Sequence, residues 1–319
     1  MTLNIAVLGP GGIAREKLLP ALVRSKGARL WSVLSRDRER AAEVAAAFGA
    51  AAPDPAHNDL DMLLADPALD AVIVATPDGL HAPMTIAAAR AGKHVLCEKP
   101  MATTPEEADA MIAACRDSGV TLGVAYHLRW HRGLRSLHAA AREGRFGTLR
   151  HMRVQWSWLA GDDEDWRAHD ALARWWSLSG VGTHGLDQIL WFLGCDNEVE
   201  EMGSVLSRSQ WGGPHDETAV VALRFASGAT AELSSSVLIE APSRWELYGS
   251  AGWVAGRGVM SEGGGGTIES HEGAFAFETD DPYRGEIEDF VAAVREGRAP
   301  EVDGAMGRRN VALLARAAH

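Results

Sequence analysis

The sequence predicts an α/β fold in two parts: a doubly wound parallel sheet, then an α+β domain with an open, mostly antiparallel sheet. Three observations predict it. An apolar run, residues 5–8, leads directly into Gly9-Pro10-Gly11-Gly12-Ile13-Ala14. Residues 1–122 then alternate short continuous apolar runs with helix-like segments, the pattern of parallel strands covered on both faces. Beyond about residue 123 the apolar positions recur with period two between Gly/Ser turns, the pattern of strands with one solvated face. The predicted boundaries are residues 1–122 and 123–319.

In chain order, residues 5–8 form the first strand, and the glycine loop opens the first helix. Its spacing is G-x-G-x-x-A, the dinucleotide-binding fingerprint of a Rossmann domain. Gly9 permits the tight turn and Gly11 lets the backbone approach a pyrophosphate, with Gly12 and Ile13 beside it. Ala14 lets helix and strand pack closely, so that the helix N-terminus holds the anion. Residues 28–35 are the second strand, and 38–48 a helix stopped at Gly49. A continuous apolar strand at 70–76 and a helix at 82–91 follow. Next come a strand at 94–97, a helix at 105–116 and a strand at 120–125. Such alternation builds right-handed βαβ units. In the second part a helix at 132–143 precedes strands at 150–158, 217–225, 229–237 and 244–249, and the glycine run 263–266 is a hairpin or a flexible turn, not a linker.

Composition narrows the function classes. With 46% hydrophobic and 23% charged residues in 319, the chain reads as a soluble globular protein of two domains. Its net charge of −12 argues against a nucleic-acid surface. No apolar run approaches the roughly 20 residues that span a bilayer, so no membrane partner is expected. The N-terminus enters the first strand without a basic leader, and three scattered cysteines (Cys97, Cys115, Cys195) make neither a disulfide framework nor a zinc knuckle. A cytoplasmic location is the expectation.

The order of several motifs adds a family. They are the glycine loop, A-T-P-D-G-L-H (75–81), A-G-K-H-V-L-C-E-K-P (91–100), G-T-H-G-L-D (182–187), the tail 281–290 and V-D-G (302–304). Together they resemble the Gfo/Idh/MocA family of nicotinamide-dependent sugar and cyclitol oxidoreductases, over nearly the whole chain. The resemblance implies an NAD(P)-dependent dehydrogenase or reductase acting on a CH–OH group of a sugar, sugar derivative or cyclitol. The alternative is a regulator of the same fold that binds cofactor and ligand without turnover.

Lys99 is the leading catalytic candidate. It lies at the C-terminal end of a predicted parallel strand, where open α/β sheets place ligands, and its ammonium suits a reacting oxygen or the cofactor. Glu98 positions the lysine or the nicotinamide ribose, or is a structural hydrogen-bond partner. The resemblance implies a cis Lys99–Pro100 bond. It also assigns Thr76, Pro77 and His81 to the loop under the nicotinamide, and proton transfer to His184, a residue type that takes and returns a proton near pH 7. Asp187 either binds substrate, supports the site or stabilises its helix. Tyr126, His127 and Arg129 line the substrate side, and Trp166 and Arg167 keep the family's spacing to His184.

Where the family carries a catalytic aspartate four residues before this histidine, the chain has Gly180, and Arg174-Trp175-Trp176 replaces a glycine stretch. Trp175 and Trp176 are therefore the expected substrate-stacking indoles, and the vacated carboxylate space is either left open in a weakened relay or taken by these two rings. Trp156 and Trp158, on one strand face, are assigned to core or interface. Cofactor choice turns on the end of the second strand. Ser35-Arg36 there favours the 2′-phosphate of NADP over NAD, with Asp37 one register later as the competing reading for NAD. His127 and His131 are spaced i, i+4, but with no third ligand no metal is expected. Residues 162–165 read as a solvated acidic loop. The alternating apolar strands of the second domain lead to the expectation of a homodimer or homotetramer joined through its sheet.

Overall fold

Leu3, Ile5, Val7 and Leu8 cannot stay in water, and a strand buried on both faces hides all of them. The computed structural model, which describes residues 2–162, 165–169, 171–194 and 197–318, builds two compact units from such segments. The first comprises residues 1–126 and 283–311, the second residues 127–282 and 312–319.

In the first unit, β1 (Leu3–Leu8), β2 (Ala28–Leu34), β3 (Ala56–His57), β4 (Ala71–Val74), β5 (His94–Glu98) and β6 (Leu122–Ala125) form one parallel sheet. Its order, β3-β2-β1-β4-β5-β6, is that of a Rossmann domain. Helices α1 (Leu19–Arg24), α2 (Arg38–Ala47), α3 (Leu60–Leu64), α4 (His81–Arg90) and α5 (Pro105–Asp117) connect the strands. Local chemistry sets their ends. Asp37 caps α2, Asp59 caps α3, and Thr104 with Glu107 forms a capping box on α5.

The domain boundary differs from the sequence expectation. β6 extends to Ala125, and α9 (Pro282–Glu296) returns to the first unit, where Tyr283, Ile287, Phe290 and Val291 join the core around Ile5, Val7 and Leu96. The tail looks amphipathic in sequence, but its apolar stripe does not say which core it enters. Helix α10 (Gly304–Ala317) completes the chain.

In the second unit α6 (Arg132–Arg142), α7 (Trp166–His169) and α8 (Thr183–Leu193) accompany an eight-stranded sheet. Its strands are β7 (Leu149–Ser157), β8 (Val199–Ser207), β9 (Thr218–Phe225), β10 (Thr230–Ser236), β11 (Arg244–Gly249), β12 (Trp253–Arg257), β13 (Thr267–Ser270) and β14 (Gly273–Ala274). The order is β14-β13-β12-β11-β7-β10-β9-β8, with only β7 and β10 parallel. Residues 263–266 lie in the turn between antiparallel β12 and β13.

The apolar alternation that suggested a subunit interface is consumed inside this unit. Met152, Val154, Val221, Leu223, Leu233, Trp245 and Leu247 share one core with residues of α6 and α8. The opposite face carries cross-strand ion pairs, Arg153 with Glu232 and Glu246, and Arg224 with Glu200 and Glu201. Among the described residues no helix is long and apolar enough to cross a membrane.

Candidate functional site

In the first unit, candidate residues gather around the loop after β1. Gly9 adopts φ +85°, and a Cβ there would stand 2.8–2.9 Å from Ala75 O and from Thr76, so only glycine fits. The Gly9 N–H donates to Leu34 O and the Gly11 N–H to Gly9 O, which turns the chain into the helix. Ala14 is fully buried against the sheet and Ile13 packs on the same core. Cβ positions at Gly11 and Gly12, in contrast, meet no atom within 4 Å. The loop thus has a sealed inner side and open room outside it, as a cradle for a pyrophosphate requires. Beside it, the Thr76 hydroxyl is buried and has no hydrogen-bond partner among the described residues. The residues present fit a dinucleotide.

At the end of β2 the two readings separate. The Asp37 carboxylate accepts the N–H groups of Glu39 and Arg40 as the cap of α2, and the Asp37 N–H donates to Ser35 Oγ. Arg36 is exposed and has no ion pair among the described residues. Sequence reasoning missed Arg40, whose Nη2 donates to Pro10 O at 3.1 Å and so sets a second guanidinium against the glycine loop. Its signal was a cation one helical turn beyond Arg36.

The residues expected beside the nicotinamide are joined by hydrogen bonds. His81 is buried at the start of α4, with Nδ1 2.8 Å from Pro100 O and Nε2 2.9 Å from Thr76 O. It ties the segment around Thr76 and Pro77 to the Glu-Lys-Pro turn. Glu98 is buried at the end of β5 and its Oε2 accepts the Lys99 N–H at 3.1 Å, while the Lys99–Pro100 bond is cis. Lys99 itself is half-buried. Neighbouring Cys97 is fully buried and its thiol pKa is pushed far up by that burial, so it is no competing nucleophile. Tyr126, also fully buried, closes this unit.

In the second unit, the candidate residues are organised by α8. His184 lies in its first turn, Asp187 and Trp191 one and two turns on, and all three are buried. The His184 ring meets the His127 ring edge-on, centroids 4.8 Å apart, and the Trp156 ring at 5.3 Å. Arg129 grips Asp187 by Nε at 2.9 Å from Oδ2 and by Nη2 at 2.7 Å from Oδ1, and its guanidinium lies 5.2 Å from the Trp191 ring centre. This buried pair joins the turn His127–Trp130 to α8.

His127 and His131 diverge. His131 Nδ1 accepts from Leu134 N at the start of α6 while Nε2 donates to Gly265 O, and burial lowers its pKa. No group of three His, Cys, Asp or Glu side chains placed for a metal occurs among the described residues.

The burial of the tryptophans runs opposite to the expectation. Trp175 and Trp176 are 1% and 2% exposed, filling the core beneath α8 and a small aromatic cluster with Trp211, so neither offers a face to a sugar. Trp156 and Trp158 are the half-buried ones. A Cβ at Gly180 would lie 2.5 Å from Trp158 Cη2 and 2.9 Å from Cζ3, so Trp158, not Trp175 or Trp176, takes the space of an aspartate side chain at that position. Trp166 and Arg167, on α7, stack on each other at 4.2 Å. Of the acidic run 162–165, Asp163 and Glu164 lie outside the described residues, as does Cys195.

Sequence reasoning also missed Asp216 and Glu217, both 1% exposed. Asp216 accepts from Trp176 N, Leu178 N and Ser177 Oγ, and burial raises its pKa against those three donors. Glu217 accepts from the N–H groups of Gln210, Trp211 and Gly212. The two carboxylates hold the loops at this end of the sheet. Their signal was an acidic pair opening an otherwise apolar strand.

Residues 3–126 match the family model described as "Oxidoreductase family, NAD-binding Rossmann fold", and residues 134–255 match the "GFO/IDH/MocA C-terminal domain". The 1,5-anhydro-D-fructose reductase of Ensifer adhaerens is 33% identical over 264 residues, 82% of this chain and 78% of the relative. D-xylose 1-dehydrogenase (NADP(+)) 2 of Haloferax volcanii is 31% identical, over 93% of this chain and 90% of the relative. Among solved structures, the aldose-aldose oxidoreductase of Caulobacter crescentus, complexed with glycerol, superposes with a TM-score of 0.92 at 28% identity, covering 100% of this chain and 98% of the other.

Proposed function

The chain belongs to the GFO/IDH/MocA oxidoreductase family, and from that premise we propose an NADP(H)-preferring enzyme that moves a hydride to or from a hydroxyl-bearing or keto carbon of a sugar, sugar derivative or cyclitol. The observation that carries the reading is the Glu98-Lys99-Pro100 turn, which stands at the C-terminal end of a parallel strand and is tied through His81 to the segment beside the glycine cradle. The two named relatives are enzymes, so a regulator without turnover finds no support among them.

The nicotinamide, when bound, supplies or accepts the hydride. The glycine loop receives its pyrophosphate, and Ser35 with Arg36 takes the 2′-phosphate, supported by Arg40. Lys99 donates a hydrogen bond to the reacting oxygen and favours the charge that develops there. His184 takes the hydroxyl proton in oxidation and returns it in reduction. Arg129 and Asp187 position α8, because their mutual hydrogen bonds engage the carboxylate. We also place the protein in the cytoplasm, where the buried thiols Cys97 and Cys115 stay reduced, and assign it a homodimeric or homotetrameric state.

Lys99→Met and His184→Ala test the assignment. Each should lower kcat by about 10²–10⁴-fold on aldoses, cyclitols or their keto forms, the range for a positioned proton-transfer group, with NADPH affinity largely retained. Full activity in either variant removes that residue from the reaction.

A further inference from the structure

Resting on the reading that His184 serves the reacting hydroxyl, we propose that Trp158 is a specificity-determining wall of the substrate pocket, seated by the missing side chain at Gly180. The placement follows from β7. Met152, Val154 and Trp156 alternate onto the face that packs beneath α8, and Trp158 continues the same parity one residue past the strand end. Trp156 meets the His184 ring at 5.3 Å. The six-membered ring of Trp158 comes so close to Gly180 that a Cβ there would stand 2.5 Å from Cη2. Gly180 belongs to the Leu178–Gly182 turn that runs into α8 and lies four residues before His184. The two half-buried indoles therefore flank the turn that delivers the histidine.

The chemistry of that wall is apolar and flat. An indole face accepts the C–H face of a pyranose or cyclitol and rejects a substituent that projects from it. Trp158 also packs against Ala168, Trp176 and Val237, which hold one side of it. Any side chain at position 180 displaces the indole, so the pair works as a unit: glycine at 180 gives tryptophan at 158 its position, and that position decides which rings fit.

The test uses the full-length enzyme with NADPH or NADP and a panel of aldoses, deoxy and axially substituted sugars, and cyclitols, on wild type, W158F, W158A, G180A and G180A/W158A. W158A should raise KM for the best substrate by about tenfold, the scale of a modest change in an apolar pocket, with little change in kcat. It should also reorder the panel towards more heavily substituted rings. W158F should keep the wild-type order, which shows that the flat face matters. G180A should lose as much as W158A, and G180A should add nothing in the W158A background, the non-additivity of two residues in contact. NADPH affinity should be the same in all five. Equal loss on every substrate in W158A, with the order unchanged, makes Trp158 a packing residue and overturns the proposal alone, as does additivity of G180A and W158A. A wild type that turns over none of the panel overturns the functional reading and this proposal with it.

Discussion

Arg36 and Asp37 are sequence neighbours with opposite duties. One carboxylate oxygen, Oδ1, accepts two N–H groups at the start of α2, while the guanidinium projects without an ion pair among the described residues. A cation next to a serine hydroxyl is chemistry for a phosphate, whereas a carboxylate with one oxygen held at a helix start has only the other for two ribose hydroxyls. Arg36→Ala should therefore weaken NADPH binding by about 10–100-fold, the loss of a charge-assisted hydrogen bond worth roughly 1.5–3 kcal/mol, with NADH nearly unaffected. Arg40→Ala should share the direction at smaller size, because part of its work is the bond to Pro10 O. Fluorescence titration of both cofactors decides it, and equal losses for NADPH and NADH remove Arg36 from the 2′-phosphate. The residue scale also shows where pattern reading fails. Nothing in R-W-W says that Trp175 and Trp176 point inwards, because a tryptophan suits a core as well as a sugar.

At the scale of elements, α6 and α8 meet through an aromatic contact that carries a pH signature. His138 on α6 stacks on Trp191 of α8, centroids 4.3 Å apart and planes 15° from parallel. Burial, with the positive charges of Arg129, Arg142 and Arg135 adding to it, pushes its pKa down from 6.5 to about 4. In the unfolded chain the imidazole takes up a proton as pH falls below about 6.5, and the folded protein resists that uptake until about 4. The unfolded state binds more protons across this window, so the stability contribution is complete above it and is lost as pH falls through it. Burial lowers the pKa of His94 and His131 as well, which steepens the same trend. His138→Phe keeps a ring in the stack and removes the titration. Its Tm should fall less than that of wild type between pH 6.5 and 4. Parallel curves contradict the assignment.

For the whole molecule, the first unit is discontinuous in sequence. Phe290 is 1% exposed and packs near Gly123 of β6, where even a Cβ would come within 3.3 Å of its ring. Phe290→Ala should cost about 3–5 kcal/mol, the usual price of an aromatic deletion in a core, and should lower the unfolding midpoint seen by a probe in the Rossmann unit. No change in that midpoint contradicts the discontinuous core. The proposed oligomer belongs to this scale too. The uncovered face of the eight-stranded sheet mixes ion pairs with exposed Val205, Val220, Tyr248 and Trp253, so it lacks the continuous apolar character first expected. Two exposed cross-strand pairs, Val205 with Val220 and Tyr248 with Trp253, are the apolar contacts left for a second copy. Sedimentation at micromolar concentration should therefore give a dimer or tetramer, and a monomer contradicts it.

The main alternation of the first unit, the glycine cradle and the Glu-Lys-Pro turn were legible in the sequence because each is local, whereas β3, α3, β8 and β12 to β14 were not read from it. Period-two and continuous apolar runs report strand environment directly, and Gly9, Asp37 and Thr104 act on backbone within a few residues of themselves. What the tertiary structure alone decided depends on residues far apart in the chain. Asp216 meets the segment Trp176–Leu178 across about forty positions, Arg129 meets Asp187 across 58, and α9 finds the first core from the far end of the chain. The position of Trp158 belongs with these. The chain shows a glycine at 180 and a tryptophan at 158, but only packing shows that the ring of one fills the space beside the other, since side-chain volume is shared among neighbours that sequence spacing does not reveal.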